Sequence, residues 1–171
     1  MPKRLIKDRA VVDDRWTLVR DAAGDSSPPQ GPVIVPLATW KARHDELAAR
    51  ADVGVWLAPS DDPIDVSADA ATLPIIAVDF PQFTDGRGYS IGRLLRERYK
   101  FEGELRAIGD VQRDQIFYLS QCGFNAFAVR EDRSVDDALS ALDDFTDGYQ
   151  LTNARTPWFT RRSFGETAAR E

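Results

Sequence analysis

The feature of this sequence that most constrains its fold is a regular alternation of short apolar runs and amphipathic stretches through its second half. Predicted strands at residues 75–80, 104–108 and 126–129 are each followed by a stretch with the apolar spacing of a helix. Strand and helix repeated with short links indicate a mostly parallel sheet covered by helices. We therefore predict an α/β fold of repeated βα units. Periodicity carries no strand order, so an open sheet and a partial barrel both fit.

Composition divides the chain into three parts. Residues 1–31 contain a short predicted strand at 16–19 and a breaker-rich run at 21–32 that is typical of a linker. Residues 32–148 carry the alternation and are the predicted α/β domain. Residues 149–171 form a tail in which Trp158 and Phe159 stand near two arginines, residue types that anchor protein interfaces. Packing of this tail on its own domain is the alternative interpretation.

Charge and cysteine content exclude several classes of function. The 171 residues carry a formal net charge of −6, which argues against a nucleic-acid-binding protein. We expect no membrane span and no secretory signal, because apolar runs are short and the first residues are charged. One cysteine and one histidine cannot form a Cys/His zinc site, so we expect no metal of that kind. A cytoplasmic protein is the expectation.

Candidate site residues follow the predicted strands, because parallel α/β proteins bind ligands at the carboxyl ends of strands. Three successive strand ends carry carboxylates interleaved with arginines. We predict an anion- or ligand-binding edge there, made by Asp79, Asp85, Gly86, Arg87, Gly88, Asp110, Arg113 and Arg130. The residue pattern assigns no catalytic residue.

The glycine loop at residues 85–92 has three interpretations. Its G-x-G-x-x-x-G spacing, followed by Asp110, is a variant of the dinucleotide fingerprint G-x-G-x-x-G. Arg87 and exposed backbone N–H groups could instead hold a small anion. The structural interpretation is a turn at Asp85-Gly86, with Ser90 as the N-cap of the next helix.

Three further polar residues have structural interpretations. Asp110 suits the N-cap position of the helix that follows it, although a role in the site stays open. Cys122 is expected to be a small buried hydrophobe. His44 is expected in solvent, and without a second histidine a nucleophilic triad has little support.

The run from Phe83 to Val129 resembles the bacterial family called domain of unknown function 934 (DUF934). The motifs FTDGRGYS, GELRAIGDV, RDQ and CGFNAF carry the resemblance, which covers about residues 32–148. Members are often labelled oxidoreductases and look associated with sulfite reductase and assimilatory sulfate reduction. No catalytic residue is carried over. An oxidoreductase of this kind would need a nicotinamide, a flavin or a partner protein, because one cysteine cannot ligate an iron–sulfur cluster.

The resemblance and the polar edge together lead to two functional hypotheses. The first is an accessory protein of bacterial assimilatory sulfite reduction, or an oxidoreductase subunit, with an anion-binding edge. The alternative is a non-catalytic assembly module that binds and stabilises sulfite reductase through the tail. The cofactor is not assigned, and whether the chain is an enzyme stays open.

Overall fold

One eight-stranded sheet organises the part of the chain that the computed structural model describes, residues 3–20 and 29–144. Its strands alternate with helices along most of the chain. The strands are β1 (Arg4–Lys7), β2 (Ala10–Asp13), β3 (Thr17–Leu18), β4 (Val33–Pro36), β5 (Val53–Leu57), β6 (Ile75–Phe80), β7 (Glu104–Gly109) and β8 (Ala126–Phe127). The helices are α1 (Leu37–Ala42), α2 (His44–Ala48), α3 (Arg87–Glu97), α4 (Arg113–Gln121) and α5 (Val135–Ser140), with 3-10 helices at Pro63–Asp69 and Ala141–Asp143.

The strand order selects between the two predicted architectures. Neighbours in the sheet run β2-β1-β8-β7-β6-β5-β4-β3, and each strand from β3 to β8 is parallel to the next. Every connection from β3 to β8 therefore returns the chain to the adjacent strand, which is the winding of a βα barrel rather than of a doubly wound sheet. The sheet curls into half a barrel. The predicted α/β fold is confirmed.

Side chains alternate between the two faces of this sheet. On β6, Ile76, Val78 and Phe80 belong to the main apolar core, which also takes in side chains of the helices. Ile75 and Ala77 face the other way and join a smaller cluster with Ile34 and Ile108. No described helix contributes to that smaller cluster. We call this side of the half-barrel the concave face.

The N-terminal residues belong to the same sheet. Strand β1 pairs antiparallel with β2 and with β8, and Leu5 and Ile6 are fully buried there. Asp8 and Arg9 form the turn between β1 and β2 with positive φ values of 47° and 64°. The sheet thus begins well before residue 32, where the predicted α/β domain starts. Among the described residues, no helix is long and apolar enough to cross a membrane.

Candidate functional site

A cavity of about 450 Å³ opens on the concave face at the carboxyl ends of β7 and β8. We call it the concave pocket. Its charged lining residues are Lys3, Asp14, Arg20, Arg106, Arg130 and Glu131. Its apolar lining residues are Trp16, Leu18, Ile34, Ile108, Ala128 and Val129. This is the end of a βα barrel at which ligands bind.

Residues 14–20 cross the concave face and form one wall of the pocket. Asp14 accepts a hydrogen bond from the Trp16 backbone N–H, and Thr17 and Leu18 pair with the edge of β4. Trp16 and Leu18 pack on the small apolar cluster of this face. The segment therefore covers part of an apolar surface that would otherwise be open to water.

Arg106 ties this wall to the sheet through a buried ionic cluster. Its Nη1 lies 3.0 Å from Asp14 Oδ1, and its Nε donates to Glu104 over 2.7 Å. Lys7 completes the cluster with an ion pair of 2.8 Å to Glu104. The side chains of Arg106, Asp14 and Glu104 are less than a tenth exposed. Since all three guanidinium nitrogens of Arg106 are engaged, its role is to hold the wall.

Arg20 is a pocket arginine that uses only one nitrogen in hydrogen bonds to described residues. Its Nη1 donates over 2.6 Å to Oδ1 of Asp79, at the carboxyl end of β6. Its guanidinium carbon lies 5.6 Å from the ring centre of Trp56, an arrangement that orients the group through cation–π attraction. The other N–H groups of Arg20 make no hydrogen bond to a residue that the structure describes, and the side chain is half-exposed. An incoming anion can therefore meet a positioned, partly unpaired guanidinium.

Arg130 lines the same pocket but is saturated by carboxylates. Its Nε and Nη2 donate to Asp132, and its Nη1 donates to Asp110 over 3.1 Å. Hydrogen bonds from Arg130 hold the pKa of Asp132 and of Asp110 below their usual range. The same bonds, first to Asp132 and then to Asp110, raise the pKa of Arg130. These groups form a fixed polar rim.

Gly109 is required where β7 reaches the pocket. Its φ is +94°, in the left-handed region that favours glycine. A Cβ atom there would lie 2.4 Å from the Phe80 carbonyl oxygen and 2.8 Å from Oδ1 of Asp79. A side chain at this position would therefore collide with the carboxylate that holds Arg20.

The predicted site residues separate into two groups. Arg130 lines the concave pocket, Asp79 reaches it through Arg20, and Asp110 reaches it through Arg130. The others do not line it. Arg113 instead donates to both carboxylate oxygens of Asp144. The remaining four are Asp85, Gly86, Arg87 and Gly88.

The glycine loop packs a helix against aromatic rings. A Cβ on Gly88 would lie 2.5 Å from the Phe80 ring, and a Cβ on Gly92 would lie 2.3 Å from the Phe124 ring. Gly86 is the N-cap of α3, so the expected N-cap at Ser90 is wrong. Arg87 donates from its side chain and its backbone N–H to Asp85, whose pKa these bonds lower. Close packing of α3 on these two rings therefore explains why glycine stands at positions 88 and 92.

Asp110 does not cap the helix that follows it. The N-cap of α4 is Gln112, which forms a capping box with Gln115. Asp110 instead accepts bonds from the Phe83 backbone N–H and the Gln112 side chain, besides Arg130. The expected N-cap was wrong because Asp110 lies two residues before Gln112, the residue that caps the helix.

Cys122 and His44 have the environments expected from sequence. Cys122 is buried, and burial raises the pKa of its thiol. His44 is exposed and bonds to Asp69 over 3.0 Å. Within residues 3–20 and 29–144, no group of three or more His, Cys, Asp or Glu side chains is arranged to hold a metal ion.

Sequence reasoning missed the residues that the N-terminal segment brings to the site, chiefly Arg20, Asp14 and Trp16. The signal for Arg20 was present, because it closely follows the short strand β3 just as Arg130 follows β8. The predicted site covers only the strand ends after residue 75, so it does not include the end of β3.

Comparison with known proteins identifies the family of the chain. No curated protein matches the chain. A family model described as "Bacterial protein of unknown function (DUF934)" matches residues 54–159, more than half of the chain. The matched range contains β6, β7, β8 and the helices between them. The chain therefore belongs to the DUF934 family.

Proposed function

We propose that this protein binds an anionic ligand in the concave pocket, as an accessory protein of bacterial assimilatory sulfite reduction. The observation that supports anion binding is Arg20 at the wall of a cavity, where Asp79 is its one hydrogen-bond partner among the described residues. The setting in sulfite reduction comes from the family resemblance of the sequence. No reaction step is assigned to the site.

Binding would rely on the fixed direction of the Arg20 guanidinium. Asp79 holds one nitrogen and Trp56 lies against the group, so the remaining N–H groups are presented together. A guanidinium offers parallel donors that match the two oxygens of a carboxylate, sulfonate or phosphate. Because Asp79 is itself mostly buried, its carboxylate holds the bonded Arg20 nitrogen in a fixed place.

The first test measures anion binding by calorimetry, with sulfite, methanesulfonate and benzenesulfonate as probes. For every probe that binds, we expect Arg20→Gln to weaken the affinity by at least about tenfold, since a charge-assisted bond contributes about 1.5–3 kcal/mol. Arg93→Gln is the control, because Arg93 pairs with Glu97 on the outer side of α3. Binding by none of the probes, or equal binding by Arg20→Gln, would overturn the proposal.

A further variant separates this site from the one expected at the glycine loop. Arg87→Ala removes the arginine of that loop, which the structure pairs with Asp85 outside the pocket. We expect this variant to bind the probes as the unmodified protein does. If Arg87→Ala loses binding while Arg20→Gln keeps it, the site belongs at the glycine loop.

The assembly-module hypothesis depends on residues 149–171, which lie outside the described residues. The predicted partnership with sulfite reductase, and a nicotinamide or flavin cofactor, likewise stay predictions. Removing the residues after Gly148 tests the module directly. A shortened protein that folds but no longer binds sulfite reductase would favour it.

A further inference from the structure

We propose that the ligand of the concave pocket is an organic monoanion with an apolar body, whose carboxylate or sulfonate head binds Arg20. The inference rests on the proposed function, because it names the class of anion that this same pocket takes. Three properties of the pocket carry it: its size, its apolar wall and the pairing of its charges.

The pocket is much larger than an inorganic oxyanion. Its volume of about 450 Å³ equals the liquid volume of roughly fifteen water molecules at ~30 Å³ each. An oxyanion with four or five heavy atoms would replace only a few of these. The pocket falls instead within the range of roughly 300–1,000 Å³ that is usual for organic ligands.

The wall beside Arg20 is apolar. Ile34 and Ile108 are buried in the sheet at its base, and Trp16, Leu18 and Ala128 pack around them. Water against such a wall finds few hydrogen-bond partners, so an apolar group that displaces it gains free energy. A bound inorganic ion would leave this surface wet, whereas an organic body would cover it.

The charges favour a single negative group. Arg106 is bonded to Asp14 and Glu104, and Arg130 is bonded to Asp110 and Asp132. Lys3 lies at the surface in an ion pair with Glu131. A second negative charge on the ligand would therefore meet cations that already hold carboxylates, and would approach Asp14 and Glu131 themselves. Arg20, bonded through one nitrogen, can take one anionic head.

The test is a series of sulfonates that share one head group. Calorimetry compares methanesulfonate, butane-1-sulfonate, benzenesulfonate and benzene-1,3-disulfonate. We expect affinity to rise by at least about tenfold from methanesulfonate to benzenesulfonate, since each buried methylene contributes about fourfold. The disulfonate should bind no better than benzenesulfonate, and Arg20→Gln should weaken every member that binds.

Two wall variants identify the surface that binds the apolar body. Ala128→Leu fills part of the pocket and should remove the advantage of benzenesulfonate while sparing methanesulfonate. If that variant does not fold, Leu18→Ala tests the same point. It removes apolar surface from the wall and should lower the affinity for benzenesulfonate but not for methanesulfonate. Leu94→Ala, at an exposed leucine of α3, is the control.

The outcomes distinguish this inference from the proposed function. If all the sulfonates bound with equal affinity and Arg20→Gln clearly weakened their binding, the anion site would stand. The assignment of an organic ligand to it would be overturned. Tighter binding of the disulfonate would also overturn it. Binding of no sulfonate and no sulfite, or binding indifferent to Arg20→Gln, would overturn the proposed function itself.

Discussion

His44 is the one histidine of the chain, and its Nε2 lies 3.0 Å from Oδ1 of Asp69. The other oxygen of Asp69 accepts a hydrogen bond from Nε1 of Trp40. The bond and the charge of Asp69 raise the pKa of His44, with a smaller contribution from Asp45. The pKa of His44 is higher in the folded protein than in the unfolded chain. The stability that the protonated His44 gives to the fold is therefore fully present at pH values below the pKa of the unfolded chain. It is lost as pH rises through the folded pKa.

This linkage can be measured by proton NMR, because a single histidine gives an unambiguous ring signal. We expect a titration midpoint above about 6.5, the ordinary histidine value. Asp69→Asn should bring the midpoint back toward that value. Asp65→Asn is the control, since Asp65 lies in the same 3-10 helix but pairs with Lys41. A midpoint at or below 6.5 in the unmodified protein would contradict the assignment.

At the residue scale, the sequence predicted two positions near the pocket, Asp79 and Arg130, but not the arginine that bonds to Asp79. Asp79 lies at the carboxyl end of β6 and Arg130 follows β8, and the strand-end rule located both near the pocket. The bond between Arg20 and Asp79 spans 59 residues and brings the edge of the sheet to its middle. Such a pairing depends on strand order and curvature, which local periodicity does not encode.

Helix α3 depends on two glycines for its distance from the sheet. Gly88 and Gly92 allow the Phe80 and Phe124 rings to touch the helix backbone. We expect Gly88→Ala and Gly92→Ala each to lower the free energy of unfolding by about 1–3 kcal/mol, because the added methyl group overpacks the core. The higher helix propensity of alanine, worth roughly 1 kcal/mol, offsets only part of this.

Urea unfolding checks this prediction with a control in the same loop. A Cβ on Gly86 would meet nothing within 4 Å, and the backbone there has no positive φ. Gly86→Ala should therefore change the free energy of unfolding by less than about 0.5 kcal/mol. If Gly88→Ala and Gly92→Ala proved as stable as Gly86→Ala, packing would not explain the spacing of the glycines.

At the element scale, clear periodicity made β6, β7 and α3 to α5 predictable. Strands β1 and β2 were missed because charged residues such as Arg4, Lys7 and Asp13 bound them, leaving two apolar residues at the centre of each. Leu5 and Ile6 of β1 are buried where β1 pairs with β2 and β8, whereas no residue of β2 is fully buried. A strand defined by its neighbours in space leaves little pattern in its own sequence.

Over the whole molecule, the N-terminal hairpin should contribute to global stability. Ile6 is fully buried between β2 and β8 and joins the main core. We expect Ile6→Ala to lower the free energy of unfolding by about 2–5 kcal/mol. Ile64→Ala makes the same chemical change at a side chain that is 52% exposed, and should lower the free energy of unfolding by far less. Denaturant titration compares the two, and equal midpoints would mean that the hairpin is not part of the cooperative unit.

The position of β1 also bears on how the protein is made. Its register pairs Ile6 with Phe127, so β1 can complete its pairing only after β8, far later in the chain, has been synthesised. Until then Leu5 and Ile6, buried in the finished fold, face water or a chaperone. Nascent chains halted before residue 127 should therefore keep β1 sensitive to protease, and chains halted well beyond residue 127 should protect β1.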